Sequence, residues 1–351
     1  MRRFLRLIPK LELHVHLEGT IRRDLLRSIV RRNPMWDSTE LEESLDKVYR
    51  QTPGLPAFLG RFKILSGFLR RPEDFYDAAR RYSEELSGFG VLYAELHFSP
   101  QIFIRKGIPF LALMEAIHSA FEEADRQDGI RLRLILDGVR QWGPEAMREL
   151  VDLAEDARDW GVVGIGMGGD ETAYPPEAFQ AAFRLARERG WKTTVHAGEA
   201  AGADSVQAAL EILRVDRIGH GVGARTDPDL LDRLADRRMV LDLCPTSQLR
   251  TGAVSGSEPY PAKSFVDRGI PVTISSDDPG LFSTDLLAEL EWVKRSGGLS
   301  RKDLITVQRN ALEGAFLSPQ ERQLLSCEFD RRLGNLEKKT DKILTKRLFV
   351  G

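Results

Sequence analysis

The chain has 351 residues, 42% of them apolar and 30% charged, enough for one large domain or two ordinary ones folded around a core in water. A formal net charge of -2, with the ArgArg pairs at 2–3, 22–23, 31–32, 70–71 and 80–81 scattered among acids, gives no reason to expect nucleic acid or an anionic membrane as partner. Only two cysteines occur, Cys244 and Cys327, which excludes a disulfide framework and a cysteine-based zinc module and fits a reducing cytoplasm. The apolar stretch in MRRFLRLIPK is too short and interrupted for a signal-peptide core, and no later run reaches membrane-spanning length. With no long linker, low-complexity segment or fixed-period repeat, the expectation is one domain over 1–351.

In chain order, short β-branched apolar stretches alternate with longer amphipathic ones. The predicted strands are 11–17, 91–98, 130–136, 162–168, 192–197, 216–222, 239–244 and 271–276. Helical patterns lie between them over 74–87, 110–125, 144–159, 177–188, 205–213, 229–236 and 261–267. Strand then helix, repeated around right-handed crossovers, is the pattern of an α/β protein of the (β/α)8 TIM-barrel class. A doubly wound open sheet is the alternative, because periodicity does not reveal closure. The segment 20–90 after the first strand is far longer than the other connections and reads as a helical insertion, a lid over the C-terminal mouth. Within it Phe58, Phe62 and Phe68 either line the mouth or pack the helices together. The tail 318–351 reads as charged helix for packing or solvent, not catalysis.

The polar residues collect at one end of the expected barrel. His14 and His16 stand two apart on the first strand and so share a face, a natural metal-ligand pair. His196 ends the fifth strand, His220 the sixth, and Asp277 and Asp278 the eighth. Those strand ends converge on one site in a barrel. His14, His16, His196 and Asp277 suit a catalytic zinc, which takes imidazole and carboxylate donors and keeps a position open for water. No HExxH or PCxxC occurs, which argues against a metalloprotease helix and excludes the cytidine-deaminase type of zinc site. His118 falls mid-helix and reads as solvated; His97 reads as either an interior residue or a pocket wall. The adjacent carboxylates in SSDDPG pose their own question, since strand alternation would send Asp277 and Asp278 to opposite faces.

Six motifs then occur in order: PKLELHVHLEGT at 9–20, GGDE at 168–171, HAGE at 196–199, RIGHG at 217–221, CPTS at 244–247 and SSDDP at 275–279. Together they resemble the adenosine deaminase family of metal-dependent amidohydrolases, over nearly the whole chain to about residue 317. The resemblance implies one Zn2+ per chain on His14, His16, His196 and Asp277, with Asp277 also at the reacting water. It makes Glu199 the proton donor and His220 the residue that orients the water and helps deprotonate it. His16, Glu18, Gly169 and Asp278 would face the substrate, Gly169 and Asp278 at the purine. Asp277 would hold metal and Asp278 would hold substrate. Cys244 keeps a structural reading.

The implied reaction is hydrolytic deamination of a 6-aminopurine to the 6-oxo purine and ammonia, on a small-molecule substrate and in the cytoplasm. Glu18, where many adenosine-using members carry Asp, resembles adenine deaminases and bacterial relatives. FSPQ at 98–101 lacks the Asp that adenine deaminases usually show before Pro, and the 20–90 insertion leaves room for a sugar or a larger 5′ group. Adenosine or a 5′-modified adenosine is therefore expected ahead of free adenine. An amidohydrolase acting on a cyclic amide or ester and a silent metal-binding protein are the other readings. The first lacks a lysine ending the fourth strand to bridge two metals; the second would need a broken constellation.

Overall fold

Eight parallel strands run in sequence order around the core of the computed structural model, which describes residues 2–32 and 38–348. They are β1 Lys10–His16, β2 Val91–Phe98, β3 Arg131–Val139, β4 Val162–Gly168, β5 Lys192–Ala197, β6 Arg217–His220, β7 Val240–Leu243 and β8 Val272–Ile274. The sheet closes where the chain leaves β8. Asp277 N–H donates to His14 O at 3.1 Å, and His16 N–H donates to Asp277 O at 2.8 Å. That bridge removes the open-sheet alternative and places the fold in the (β/α)8 class.

The crossover helices form for the reason their pattern suggests. Phe110–Asp128, for example, buries Phe110, Leu113, Met114, Ile117, Ala120, Phe121 and Ala124, one stripe at three- and four-residue spacing. Each large aliphatic or aromatic side chain so buried contributes roughly 1.5–3 kcal/mol. Gly129, in the left-handed region at φ 64°, ends the helix. His118 on this helix is half-buried, contrary to the solvated reading: its ring meets Trp160 edge-on at a centroid distance of 5.5 Å.

β1 changes face partway along. A register shift against β2 lies between Glu12 and Val15. Leu11 and Leu13 accordingly join a cluster at the lower end of the barrel, whereas Val15 and Leu17 pack in the main core. The bulge re-aims the strand just before its histidines leave it.

The lower end is closed by charge and by the tail. Arg217, fully buried, pairs with Glu95 at 2.7 Å and Asp242 at 2.5 Å, and donates to Leu13 O at 3.0 Å. Below them Leu325, Phe329 and Leu333, four apart on helix Pro319–Leu348, pack against Leu11, Leu13, Leu92 and Tyr93. The first half of the expected tail is thus part of the core; residues 349–351 lie outside the described residues.

The 20–90 insertion divides in two. Its last helix, Pro72–Gly88, packs on Phe110–Asp128 in the outer ring as an ordinary crossover. The mouth is covered by Leu55–Phe68 instead. Phe62 lies in the cavity wall with its ring 6.3 Å from that of His16, and Phe58 both lines the cavity and stacks on Phe282 at 4.9 Å. Phe68 is buried in the core. Residues 33–37 of the insertion lie outside the described residues.

Candidate active site

The predicted strands 216–222 and 271–276 are shorter in the fold, and a residue at the end of β6 and one just past β8 build the site. His220 at φ 64° and Asp277 at φ 63° both take the left-handed conformation that non-glycine residues rarely adopt. Such strain, of order 1–3 kcal/mol per residue, concentrates where side-chain aim is functional. It also resolves the SSDDPG question. The backbone turns at Asp277, so its carboxylate meets the histidines, and both carboxyl oxygens of buried Asp278 stay without a hydrogen-bond partner in the cavity wall.

Four donors converge at the C-terminal end of the barrel, at the floor of the cavity. One ligand atom from each of His14, His16, His196 and Asp277 lies within 4.8 Å of the others. His16 Nε2 is 3.1 Å from His196 Nε2 and 3.4 Å from Asp277 Oδ1, and His14 Nε2 is 3.5 Å from the same oxygen. Tetrahedral donors about 2.0–2.1 Å from zinc stand roughly 3.3 Å apart, so the set fits one such ion. Both ring nitrogens of His14 are buried and partnerless, which a cation at Nε2 would relieve. Burial holds all three imidazoles below their ordinary range, His14 and His16 well below and His196 at about 4. They are neutral near pH 7, as metal ligands must be. His196 Nδ1–H donates to Met167 O at 3.0 Å, which leaves the Nε2 lone pair for the cluster.

The partners of these groups were not legible in the sequence. Asp137, at the C-terminal part of β3, has Oδ1 3.0 Å from His97 Nδ1 and Oδ2 3.6 Å from His16 Nδ1. Burial raises its pKa to about 7. His97 is fully buried beside it and belongs to the interior. Glu171, the last residue of GGDE, accepts the N–H groups of Gly198, Glu199 at 3.0 Å, Ala200 at 2.6 Å and Ala201 at 3.2 Å. It therefore holds the loop that carries Glu199. Arg140, fully buried, donates to His196 O and to Tyr174 O. On the far side Tyr260 O–H donates to Gln248 Oε1, and Gln248 Nε2 lies 3.3 Å from His220 Nδ1. An acceptor Nδ1 puts the His220 proton on Nε2, which stands 3.5 Å from Glu199 Oε2.

Glu199 lines the cavity, and burial raises its carboxyl above the ordinary range against the opposing effect of His220. Gly169 lines the cavity at φ 114°, and a Cβ there would press within 3.1 Å of Gln141 Cδ. Glu18 stands apart from the expected substrate face. It is fully buried behind the wall, with Oε1 accepting the Ser99 N–H at 3.1 Å, and Ser99 is the residue that lines the cavity. Cys244 is buried, its thiol kept protonated by that burial and 3.7 Å from Asp242 O, in agreement with a structural role.

Gly19 offers a test of how tightly Asp278 is held. A Cβ at residue 19 would lie 2.7 Å from Asp278 Cβ and closer still to its carboxyl. Gly19→Ala is expected to keep the metal while lowering kcat/KM by about 10²-fold, the usual result of misplacing a contact by an ångström. Metal content and steady-state kinetics measured together check this; unchanged kcat/KM would mean that Asp278 does not position the substrate.

The geometry has a counterpart among known proteins. The adenosine deaminase family description matches residues 9–331, beyond the residue 317 at which the motifs alone suggested an end. The chain belongs to the adenosine deaminase family. Among relatives in this family, an adenine deaminase from Rhodopseudomonas palustris is 37% identical over 330 residues, 93% of this chain and 95% of that protein. An aminodeoxyfutalosine deaminase from Acidothermus cellulolyticus is 36% identical over 297 residues, 83% of each chain. An amidohydrolase from Burkholderia ambifaria, solved with bound Zn, has a TM-score of 0.85 and 29% identity, covering 96% of this chain and 94% of that one. The metal cluster of this family member therefore has a zinc-bearing structural relative.

Proposed function

We propose that the chain hydrolyses the 6-amino group of an adenine- or adenosine-type purine, using one divalent ion, zinc, on His14, His16, His196 and Asp277. The observation that carries this reading is that four-donor set, of which His16, His196 and Asp277 line the same cavity of about 740 Å³ as Glu199 and Asp278. Lewis-acid activation of water at neutral pH is the chemistry the ion supplies. The chain's own groups do the rest. Glu199, whose carboxyl burial raises above its ordinary range, donates its proton to ring N1 as C6 becomes tetrahedral. His220, with its proton on Nε2, donates a hydrogen bond toward the attacking oxygen, and Asp277 accepts one from it. Asp278, whose carboxyl is pushed up by burial and by Asp277, donates to N7 and fixes the ring plane. The Gly169 backbone contacts the purine edge. Helix Leu55–Phe68 limits water access over the ring. We read the chain as one catalytic unit. No helix among the described residues is long and apolar enough to cross a membrane, and the free thiols of Cys244 and Cys327 fit a reducing cytoplasm.

The cavity is larger than a bare purine needs, and ligand sites for drug-sized molecules span roughly 300–1,000 Å³. Adenosine is therefore expected to exceed adenine in kcat/KM by at least about tenfold, because contacts remote from C6 position the ring. Glu18→Ala, which strips the acceptor from the Ser99 N–H, should lower the nucleoside value more than the base value. A kinetic comparison of adenine, adenosine and 2′-deoxyadenosine decides it. Adenine as the best substrate, with all three affected alike by Glu18→Ala, would favour the activity named for the Rhodopseudomonas palustris relative.

A further inference from the structure

The charges lining the cavity are sorted along its depth. Its acids, Asp137, Glu199, Asp277 and Asp278, are gathered at the buried end with the histidines. The charged residues of the exposed end are all cations: Lys63, Arg105 and Lys106. Lys63 comes from the covering helix Leu55–Phe68; Arg105 and Lys106 follow helix Pro100–Ile104 beyond β2. Two of the three are held in place. The Arg105 guanidinium stacks over the Trp142 ring, 3.9 Å from its centroid, and Lys106 Nζ donates to Ser66 O at 2.5 Å. Among the described residues none of the three has a carboxylate within 4.0 Å, whereas most arginines on the neighbouring surface helices do. The remaining wall includes Phe58, Phe62, Ile102 and Trp142, with Ser66, Ser99 and Gln141 among them.

We infer that the exposed end of the cavity is a subsite for an anionic group, a carboxylate or a phosphate, borne on the sugar side of the purine. The inference rests on the proposed deamination for the identity of the buried end. A purine ring with C6 at the metal cluster points its N9 substituent away from that cluster, toward the exposed lining residues Lys63, Arg105 and Lys106. Neutral adenosine would leave Lys63 and Arg105 with no anion facing them at the mouth, and Lys106 with only Glu18 behind the wall. An anion there gains charge-assisted hydrogen bonds, and Arg105, planar and fixed by Trp142, suits either oxyanion.

The test uses zinc-loaded enzyme with adenosine, adenosine 5′-monophosphate and adenosine 5′-carboxylate. At low ionic strength at least one anionic substrate is expected to exceed adenosine in kcat/KM by about tenfold or more, with the advantage shrinking as salt rises. The better of the two names the oxyanion. Replacing Arg105→Gln together with Lys106→Gln should bring the anionic-to-neutral ratio close to one. Equal values for all three substrates, or an advantage that survives the double replacement, would overturn the subsite while leaving the deamination intact. Absence of turnover with every 6-aminopurine would instead count against the proposed reaction. Calorimetric binding of the same three compounds then judges the subsite independently: tighter, salt-sensitive binding of an anion supports it, and equal binding refutes it.

Discussion

Glu199→Gln is expected to lower kcat by roughly 10²–10⁴-fold, the span typical of one general acid–base group, while the bound metal and the thermal midpoint stay at the parent values. The amide keeps the shape of the side chain, and the loop around it is held by Glu171 through backbone N–H groups that the substitution does not touch. What the substitution removes is the carboxyl proton that the proposed reaction gives to N1. A small change in kcat with a large change in KM would show that Glu199 binds the purine and does not protonate it. Glu171→Gln separates position from chemistry: it should disturb the same loop, lowering activity with Glu199 itself in place.

The second large effect separates the two halves of the site. His196→Ala should reduce metal affinity by more than the 10–100-fold that loss of a supporting partner costs, and abolish activity with it. Because a ligand that binds only the folded state stabilises it, chelation should lower the thermal midpoint of the parent protein but not that of His196→Ala. Asp277→Ala should behave in the same direction. Asp278→Ala should keep the metal and its thermal contribution and lose purine binding and turnover, since neither oxygen of Asp278 is hydrogen-bonded to the barrel scaffold. Elemental analysis of the purified variants reads the difference. Equal metal loss in the two aspartate variants would show that the carboxylates share the ion. An active parent protein free of transition metal would defeat the metal reading altogether.

Much of the site was legible because strand periodicity and barrel symmetry act together. His14, His16, His196 and Asp277 were expected at C-terminal strand ends, and the structure brings one donor atom from each within 4.8 Å of the others. Glu199, Gly169 and Asp278 likewise lie in the cavity wall. Glu18 does not; its carboxylate turns to Ser99 N–H behind that wall, a choice made by a backbone group 81 residues away. Asp137 was overlooked because nothing local distinguishes it among 53 acidic residues, and Glu171, though inside the GGDE motif, was given no role because its partners lie on another loop. A carboxylate that collects four backbone N–H groups is recognisable only once the loop that offers them is folded.

Taken alone, the sequence determined the alternation of strands and helices, the end of the barrel where chemistry sits, the metal donors, and the family's motifs. These follow from short-range facts: side-chain direction repeats every two residues in a strand and every 3.6 in a helix, and donor type sets the metal. Only the tertiary structure decided closure, through the Asp277 bridge to β1, and the different directions in which Asp277 and Asp278 point, through a positive φ that no residue type announces. It also decided that Leu325, Phe329 and Leu333 of the tail seal the barrel floor, and that Lys63, Arg105 and Lys106, from two separate segments, share the mouth of one cavity. The physical reason is the same in each case. Burial and convergence are properties of distances between residues far apart in the chain, and those distances exist only after the strands have closed around one axis.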